Sequence, residues 1–339
     1  MQMPADIIAS LRASYEGKRV CVTGGAGFIG GHLVDTLLAV GAMVQVIDDL
    51  SNSDLAHLAP LVELEPDRVQ FVHGSILDPA ALAEAVDGAQ VIFHLAAMGS
   101  VPLSIEQPER TWEVNATGTL RVLQAAHKAG AQRVVFAASS SAYGDTVELP
   151  KVETMPPCPK SPYAVTKLAG EQLMRVWSEC YGLSTASVRF FNIFGPRQSA
   201  DSAYAAVIAA FASKLLAGEA PVIFGDGKQT RDFTFVSNAV LATMLAGASS
   251  RPLRGEVMNV GVGVQTSLLE LAEQMRIAAN LNGYTPGPIH KEPRVGDVDH
   301  SLADISLARE LIGYEPISRF EDGIAETVAW YRSQLSGSV

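Results

Sequence analysis

Short runs of consecutive apolar residues recur along the chain and alternate with longer stretches that carry apolar positions at helical spacing. After a polar lead-in, Arg19-Val20-Cys21-Val22-Thr23 reads as a short buried strand. A GGAGFIG turn and an apolar helix to about Val40 follow it. Further strands are predicted at Val44–Ile47, Val69–Val72, Val91–Leu95, Val134–Ala138 and Ala186–Phe191, with helix-forming segments between them. Strands that are apolar throughout, rather than at alternate positions, are buried on both faces, so the alternation predicts an α/β fold with a doubly wound parallel sheet. Ser104–Lys128 and Pro162–Glu179 are the strongest helix candidates after the first.

Beyond Asn192 the alternation weakens into Gly- and Pro-bearing turns such as FGPRQ, FGDGKQTRDF and EPRVGDVDH. A second, smaller α/β lobe is expected there. Val257–Val260 reads as a strand returning to the first sheet, so the lobes interdigitate in sequence. One comprises residues 1–190 plus about 233–261, the other about 191–232 plus 262–339.

The chain has 339 residues and is 48% apolar, enough for one large core or two. Its formal net charge of −11 argues against a nucleic-acid-binding surface, while leaving room for a small anionic ligand held by a few arginines. Three widely spaced cysteines without a CxxC pattern indicate neither a disulfide framework nor a zinc site. There is no long apolar leader and no run of about 18 apolar residues, so a cytoplasmic protein with no membrane partner is expected.

Three motifs carry chemistry. Gly24, Gly27 and Gly30 lie between a predicted strand and helix, where a tight turn and a helix N-terminus can face a pyrophosphate. The next strand ends at Asp48, about 20 residues on, where a carboxylate can accept hydrogen bonds from an adenosine ribose and would repel a 2′-phosphate. That combination points to NAD on a Rossmann sheet. The strand Val134–Ala138 then runs into Ser139, Ser140 and Ser141, whose hydroxyls should face the same crevice, although serines at a strand end are also ordinary turn chemistry. Finally, SPYAVTK sets Tyr163 and Lys167 four residues apart on one helical face, with Ser161 as N-cap and Pro162 at the first helical position. A phenol titrates near ~10, and a neighbouring cation is expected to lower that value so that Tyr163 can serve as a base. His94 shows no partner and reads as a structural histidine.

Together GGAGFIG, HLAAMGSVP, AASSSAYGD, SPYAVTK, RFFNIFGPRQ, GDGKQTRDFTFV and GDVDHSLADIS resemble the extended short-chain dehydrogenase/reductase family, and within it the nucleotide-sugar epimerases, over Lys18 to about Tyr331. UDP-N-acetylglucosamine 4-epimerases of bacteria are the nearest resemblance. It implies that Tyr163, held as phenolate by Lys167 and the nicotinamide, takes the sugar 4-hydroxyl proton directly or through Ser139 while the C4 hydride passes to NAD. The 4-keto sugar then presents its other face for hydride return.

By the same resemblance NAD contacts Gly24, Gly27, Phe28, Ile29, Gly30, Asp48, Asp49, Ser51, Ser75, Ile76, Leu95, Ala96, Ala97, Asn115, Tyr163, Lys167 and Phe191. The UDP-sugar would meet Gly99, Ser139, Ser140, Ser141, Asn192, Ala206, Arg231, Arg294, Asp297 and Ser301, with Arg231 and Arg294 on the phosphates. Small Gly99, Ala206 and Ser301 leave room for an N-acetyl group, favouring UDP-GlcNAc and UDP-GalNAc, with UDP-glucose and UDP-galactose also admitted. Two positions depart from the pattern: Ser75 replaces a common Asp near the adenosine, and Asp299 a common Arg near the sugar. The resemblance also implies a homodimer built on the helices around Ser104–Lys128 and Pro162–Glu179. Alternatives are a UDP-uronic acid 4-epimerase, a nucleotide-sugar 4,6-dehydratase, which would want an Asp-Glu pair where Ser140 and Ser141 stand, and a redox-inactive dinucleotide sensor.

Overall fold

The computed structural model describes residues 3–200, 207–281, 287–292 and 299–336. Seven strands form its central sheet: β1 (Arg19–Thr23), β2 (Met43–Asp48), β3 (Val69–His73), β4 (Val91–His94), β5 (Arg133–Ser139), β6 (Ser184–Phe190) and β7 (Arg254–Val260). Their order is β7-β6-β5-β4-β1-β2-β3, and every neighbouring pair is parallel. The chain moves outward from β1 to β3 and then returns to the other side of β1 as β4. Ligands bind at such a reversal, beyond the carboxyl ends of β1 and β4.

The strands are apolar throughout because each face packs against its own core. Val20 and Val22 of β1, with Phe93 of β4 and Val135 of β5, join one cluster. The alternating neighbours Cys21, Ile92, Val134 and Phe136 join the other. Successive strand residues point to opposite faces, so a continuous apolar run serves two layers of helices. Each fully buried side chain of this kind contributes roughly 1.5–3 kcal/mol relative to exposure.

The helices that position the site are α1 (Ala5–Tyr15), α2 (Phe28–Ala39), α3 (Gly118–Lys128), α4 (Pro162–Tyr181) and α5 (Val236–Ala248). The lead-in read as polar thus holds a helix, anchored by buried Leu11 and Tyr15, with Tyr15 Oη donating to the Met244 carbonyl of α5 at 2.6 Å. Arg133 closes the far end of α5, donating to the carbonyls of Ala246, Gly247 and Ser249 at 3.2, 3.1 and 2.6 Å. Those carbonyls lack partners within the helix, and a guanidinium there also favours the helix dipole.

Ser104–Lys128 is not one helix. It comprises turns at Val101–Glu106 and Pro108–Trp112, a π-helical turn at Glu113–Thr117, and α3. Gln107 leaves the helical region, with φ −128° and ψ 61°, because Pro108 disfavours helical geometry in the residue before it. Val257–Val260 does return to the first sheet, as part of an edge strand that starts at Arg254. Past β6 the chain also forms small two-stranded pairings, Ile193–Phe194 with Thr234–Phe235, Thr230–Arg231 with Thr266–Ser267, and Val222–Phe224 with Ile289–Lys291. Among the described residues no helix is long and apolar enough to cross a membrane.

Candidate active site

The glycine turn stands at the β1–β4 reversal. Gly24 has φ +71°, and a Cβ added there would lie 2.7 Å from the Ala96 backbone nitrogen. One at Gly30 would lie 2.1 Å from the Gly24 carbonyl oxygen. A side chain at Gly24 would push away the segment after β4, and one at Gly30 would push α2 off the turn. Gly27 caps α2 without any side-chain hydrogen bond, so its first N–H groups are left for a ligand.

Asp48, at the end of β2, binds the same turn. Its Oδ2 accepts from Ala26 N at 3.0 Å and its Oδ1 from Leu50 N at 2.9 Å and Ser53 Oγ at 3.0 Å. A carboxylate offers about four acceptor directions. One therefore remains, enough for a ribose hydroxyl. Phe28 and Ile29 are half-buried against the core behind the turn.

Other residues assigned to the cofactor have local duties. Asp49 Oδ1 accepts from Ser51 N at 3.1 Å, and Ser75 Oγ from Leu77 N at 3.3 Å. Ile76 is buried against Gly118, and Phe191 is buried beside the Tyr143 ring. Leu95, Ala96 and Ala97 follow β4, half-buried, with the Leu95–Ala96 backbone against Gly24. The amide of Asn115, in the π-helical turn, accepts from Met98 N at 2.8 Å and donates to Met98 O at 3.2 Å and Thr166 Oγ1 at 3.0 Å. It thereby pins Met98, in the loop after β4, to α4.

The catalytic candidates meet at the end of β5. Ser161 caps α4, its Oγ accepting from Ala164 N at 3.1 Å, and Pro162 opens the helix. Tyr163 emerges in the first turn, its phenol close enough to Ser139 for that hydroxyl to favour the ionised form. Ser139 Oγ also accepts from Ser141 N at 3.2 Å and Ser141 Oγ at 2.9 Å. Gly170 lets α4 approach closely: a Cβ there would lie 2.5 Å from the Phe136 ring. Lys167 consequently reaches across that ring, its Nζ 4.9 Å from the Phe136 centroid and 5.9 Å from that of Tyr163.

The electrostatics differ from the expected picture of a cation lowering the phenol. Burial raises Tyr163 above its ordinary value, and only the Ser139 hydrogen bond opposes it. Lys167 donates to the Ala137 carbonyl at 2.8 Å, and burial brings it down to about 8, with Glu171 opposing. Glu171 in turn holds Arg189 through two hydrogen bonds of 2.7 Å, an ion pair almost wholly out of water. Desolvation therefore outweighs charge proximity here.

Gly99 is exposed, and among the described residues nothing lies within 4 Å of where a Cβ would stand. Ser140 and Ser141 are half-buried, and Asn192 is exposed with φ 35°. Arg231 Nη1 donates to the carbonyls of Thr230 and Asp299 at 2.9 and 3.1 Å. Ser301 N donates to the Thr230 carbonyl at 3.1 Å, bringing Ser301 beside Arg231, and its buried Oγ has no partner among the described residues. Ala206, Arg294 and Asp297 lie outside the described residues.

Sequence reasoning missed Asp232, whose buried carboxylate accepts from Val262, Gly263 and Ala303 N at 2.9, 2.9 and 3.1 Å and so joins the loop after β7 to the segment bearing Ser301. It also missed Glu171 with Arg189. The one signal for Glu171 was its place four residues beyond Lys167, on the face that Tyr163 and Lys167 share. No group of three potential metal ligands occurs among the described residues.

Comparison with known proteins agrees with this geometry. The profile of the NAD-dependent epimerase/dehydratase family matches residues 20–261. A UDP-glucose 4-epimerase of Mycolicibacterium smegmatis is 40% identical over 320 residues, covering 93% of this chain and 99% of that protein. The structure of a UDP-N-acetylglucosamine 4-epimerase from Methanobrevibacter ruminantium superposes with a TM-score of 0.87 at 36% identity, covering 94% of this chain and 99% of the other. That of a UDP-glucose 4-epimerase from Thermus thermophilus in complex with NAD gives 0.81 at 34% identity, covering 93% and 99%. The Rossmann sheet, the glycine turn with Asp48 and the match along most of its length make this chain a member of the NAD-dependent epimerase/dehydratase family of extended short-chain dehydrogenases/reductases.

Proposed function

We propose that the protein interconverts UDP-GlcNAc and UDP-GalNAc by inversion at C4 and also admits UDP-glucose and UDP-galactose. The observation that carries this reading is the cluster of Ser139, Tyr163 and Lys167 at the end of β5. The next two residues are Ser140 and Ser141, so the acid and base that a dehydratase would want there are missing. When bound, oxidised NAD supplies a hydride acceptor and a positive charge beside the phenol.

Tyr163 Oη takes the proton of the sugar 4-hydroxyl and returns it on the opposite face, with Ser139 Oγ placed to pass it across. Lys167, fixed by Ala137, keeps an ammonium behind the phenol without forming an ion pair with it. Arg231, with Arg294, anchors the diphosphate. Small residues, Gly99 and Ser301, border the sugar in this reading and leave it room to turn over between the two half-reactions. Open space at Gly99 supports room for an N-acetyl group, and so does the likeness to a UDP-N-acetylglucosamine 4-epimerase. In this reading the seven-stranded sheet holds NAD, while residues 191–232 and 262–339 hold the nucleotide sugar.

The test is incubation with UDP-GlcNAc, UDP-glucose and UDP-glucuronate in separate reactions without added NAD, resolving the epimers by NMR. Conversion of UDP-GlcNAc is expected. Conversion of UDP-glucuronate alone would move the reading to a uronic acid epimerase, and no conversion of any would refute it.

A homodimer fits the same reading. An apolar groove of about 360 Å³ runs between the Pro108–Lys128 region and α4, lined by Trp112, Ala116, Leu120, Ala169, Leu173 and Val176. A second copy presenting the same two helices would cover it.

A further inference from the structure

A buried path of hydrogen bonds joins the loop after β4 to the helix that carries Tyr163, and it passes through His94. Ala96 N donates to Thr23 Oγ1 at 3.2 Å, and Thr23 Oγ1 lies 2.8 Å from His94 Nδ1. His94 Nε2 lies 2.9 Å from Thr119 Oγ1, which donates to the Asn115 carbonyl at 2.6 Å. The Asn115 amide donates to Thr166 Oγ1, and Thr166 donates to the Tyr163 carbonyl at 2.8 Å. Thr23, His94, Thr119, Asn115 and Thr166 are all buried. The contact arises from register, because Thr23 faces His94 across β1 and β4.

The path has a fixed direction. Thr119 has one hydroxyl proton, committed to Asn115, so it must accept from His94 Nε2–H. A neutral ring then has Nδ1 free to accept from the Thr23 hydroxyl, whose oxygen accepts Ala96 N–H. Burial, with the charge of Lys167 adding to it, brings the ring down to about 3, consistent with a neutral imidazole. The Ala96–Met98 loop is thus held at both ends, by Thr23 and His94 at Ala96 and by Asn115 at Met98.

We propose that His94 is a positioning residue which, as the neutral Nε2–H tautomer, sets the Ala96–Met98 loop against α4 and so supports NAD binding and the placement of Tyr163. Unsatisfied buried polar groups are costly, so breaking one link should loosen the loop rather than relax harmlessly.

The test uses the full-length protein carrying His94→Leu, His94→Gln, Thr119→Val and Thr23→Ser. NAD affinity is measured by titration of NAD-stripped protein, thermal stability is measured in parallel, and the wild-type ring is observed by ¹⁵N NMR. His94→Leu and Thr119→Val are expected to weaken NAD by about tenfold, corresponding to the loss of one or two net hydrogen bonds. Thr23→Ser and His94→Gln, which keep a donor and an acceptor, should remain close to wild type. The ring should show Nε2–H and stay neutral to about pH 5. A lower melting temperature with unchanged NAD affinity would reduce His94 to a structural role and overturn the proposal. So would an Nδ1–H tautomer. Should His94→Leu not fold, Thr119→Val still decides, since it removes one hydroxyl and keeps the shape. No readout depends on turnover, so failure of the epimerase reading leaves this outcome separate.

Discussion

Lys167 Nζ donates to the Ala137 carbonyl at 2.8 Å, and this bond places its charge behind the Tyr163 ring. The strand thus fixes the ammonium before any ligand binds. Burial holds the phenol protonated in the protein alone, with Ser139 as its polar partner. In the proposed reaction a further positive charge entering the crevice would favour the phenolate, tying proton transfer to cofactor binding.

Tyr163→Phe tests that assignment most directly. Removing the hydroxyl leaves the ring packing and the Ser161 cap unaltered, so the variant should fold and keep NAD. Epimerisation should fall by about 10²–10⁴, the range typical of a lost acid–base group. A variant with full activity by NMR of the epimers would sink the catalytic role of the phenol.

Lys167→Met separates stability from activity. The amine is buried and lowered from 10.5 to about 8, at ~1.4 kcal/mol per pH unit, so its charge costs the fold at most about 3 kcal/mol. Below pH 8 both folded and unfolded chains hold the proton and the full cost is present. From about 8 to 10.5 the folded state releases its proton first, the unfolded state binds more, and stability from this group rises with pH. Lys167→Met should accordingly be more stable at pH 7 by about 1–3 kcal/mol, an advantage that shrinks above pH 8, while turnover is lost. Urea melts at several pH values on both proteins check the sign.

The ion pair of Glu171 and Arg189 yields an asymmetric outcome. Both groups are buried, Arg189 also stacks 4.5 Å from the Tyr143 ring centre, and its Nη1 has no partner among the described residues. Glu171→Leu alone leaves an uncompensated guanidinium and should cost about 3–5 kcal/mol. Adding Arg189→Met should restore much of that. Chemical denaturation of the two single variants and the double variant closes the cycle. Additive losses would mean that the pair does not act as a unit.

How far these features could be read from sequence depends on how local their causes are. The strands of the central sheet are legible because residues such as Cys21 and Val22 are apolar on both faces, and the start of α4 because Ser161 and Pro162 are a local signal. The break at Gln107 was signalled by Pro108 but overridden by the helical periodicity around it. Arg133, Asp232 and His94 were illegible for another reason. Arg133 binds carbonyls more than 100 residues away, and Asp232 accepts from nitrogens about 30 and 70 residues on. His94 gains Thr23 only when β1 pairs with β4, and Thr119 only when α3 packs against β4. Such roles come from the topology, which periodicity does not specify.

The apolar groove beside α4 carries the last prediction. Trp112 is 51% exposed and Val176 43%, both on helices next to the active site. Continuous apolar surface of this kind marks an interaction face. A stable interface needs about 800 Å² from each partner, and two long helical segments pairing across a two-fold axis can supply it. Light scattering should give a mass near twice that of the 35.9 kDa chain. Val176→Glu places a charge in the middle of the contact and should shift the mass to that of one chain, with the circular dichroism spectrum unchanged, because the side chain is solvent-facing in the isolated protomer. Tyr163 lies on the same helix, so a monomer that retained full activity would show that α4 needs no partner to hold its catalytic end, and a wild-type monomer would remove the dimer altogether.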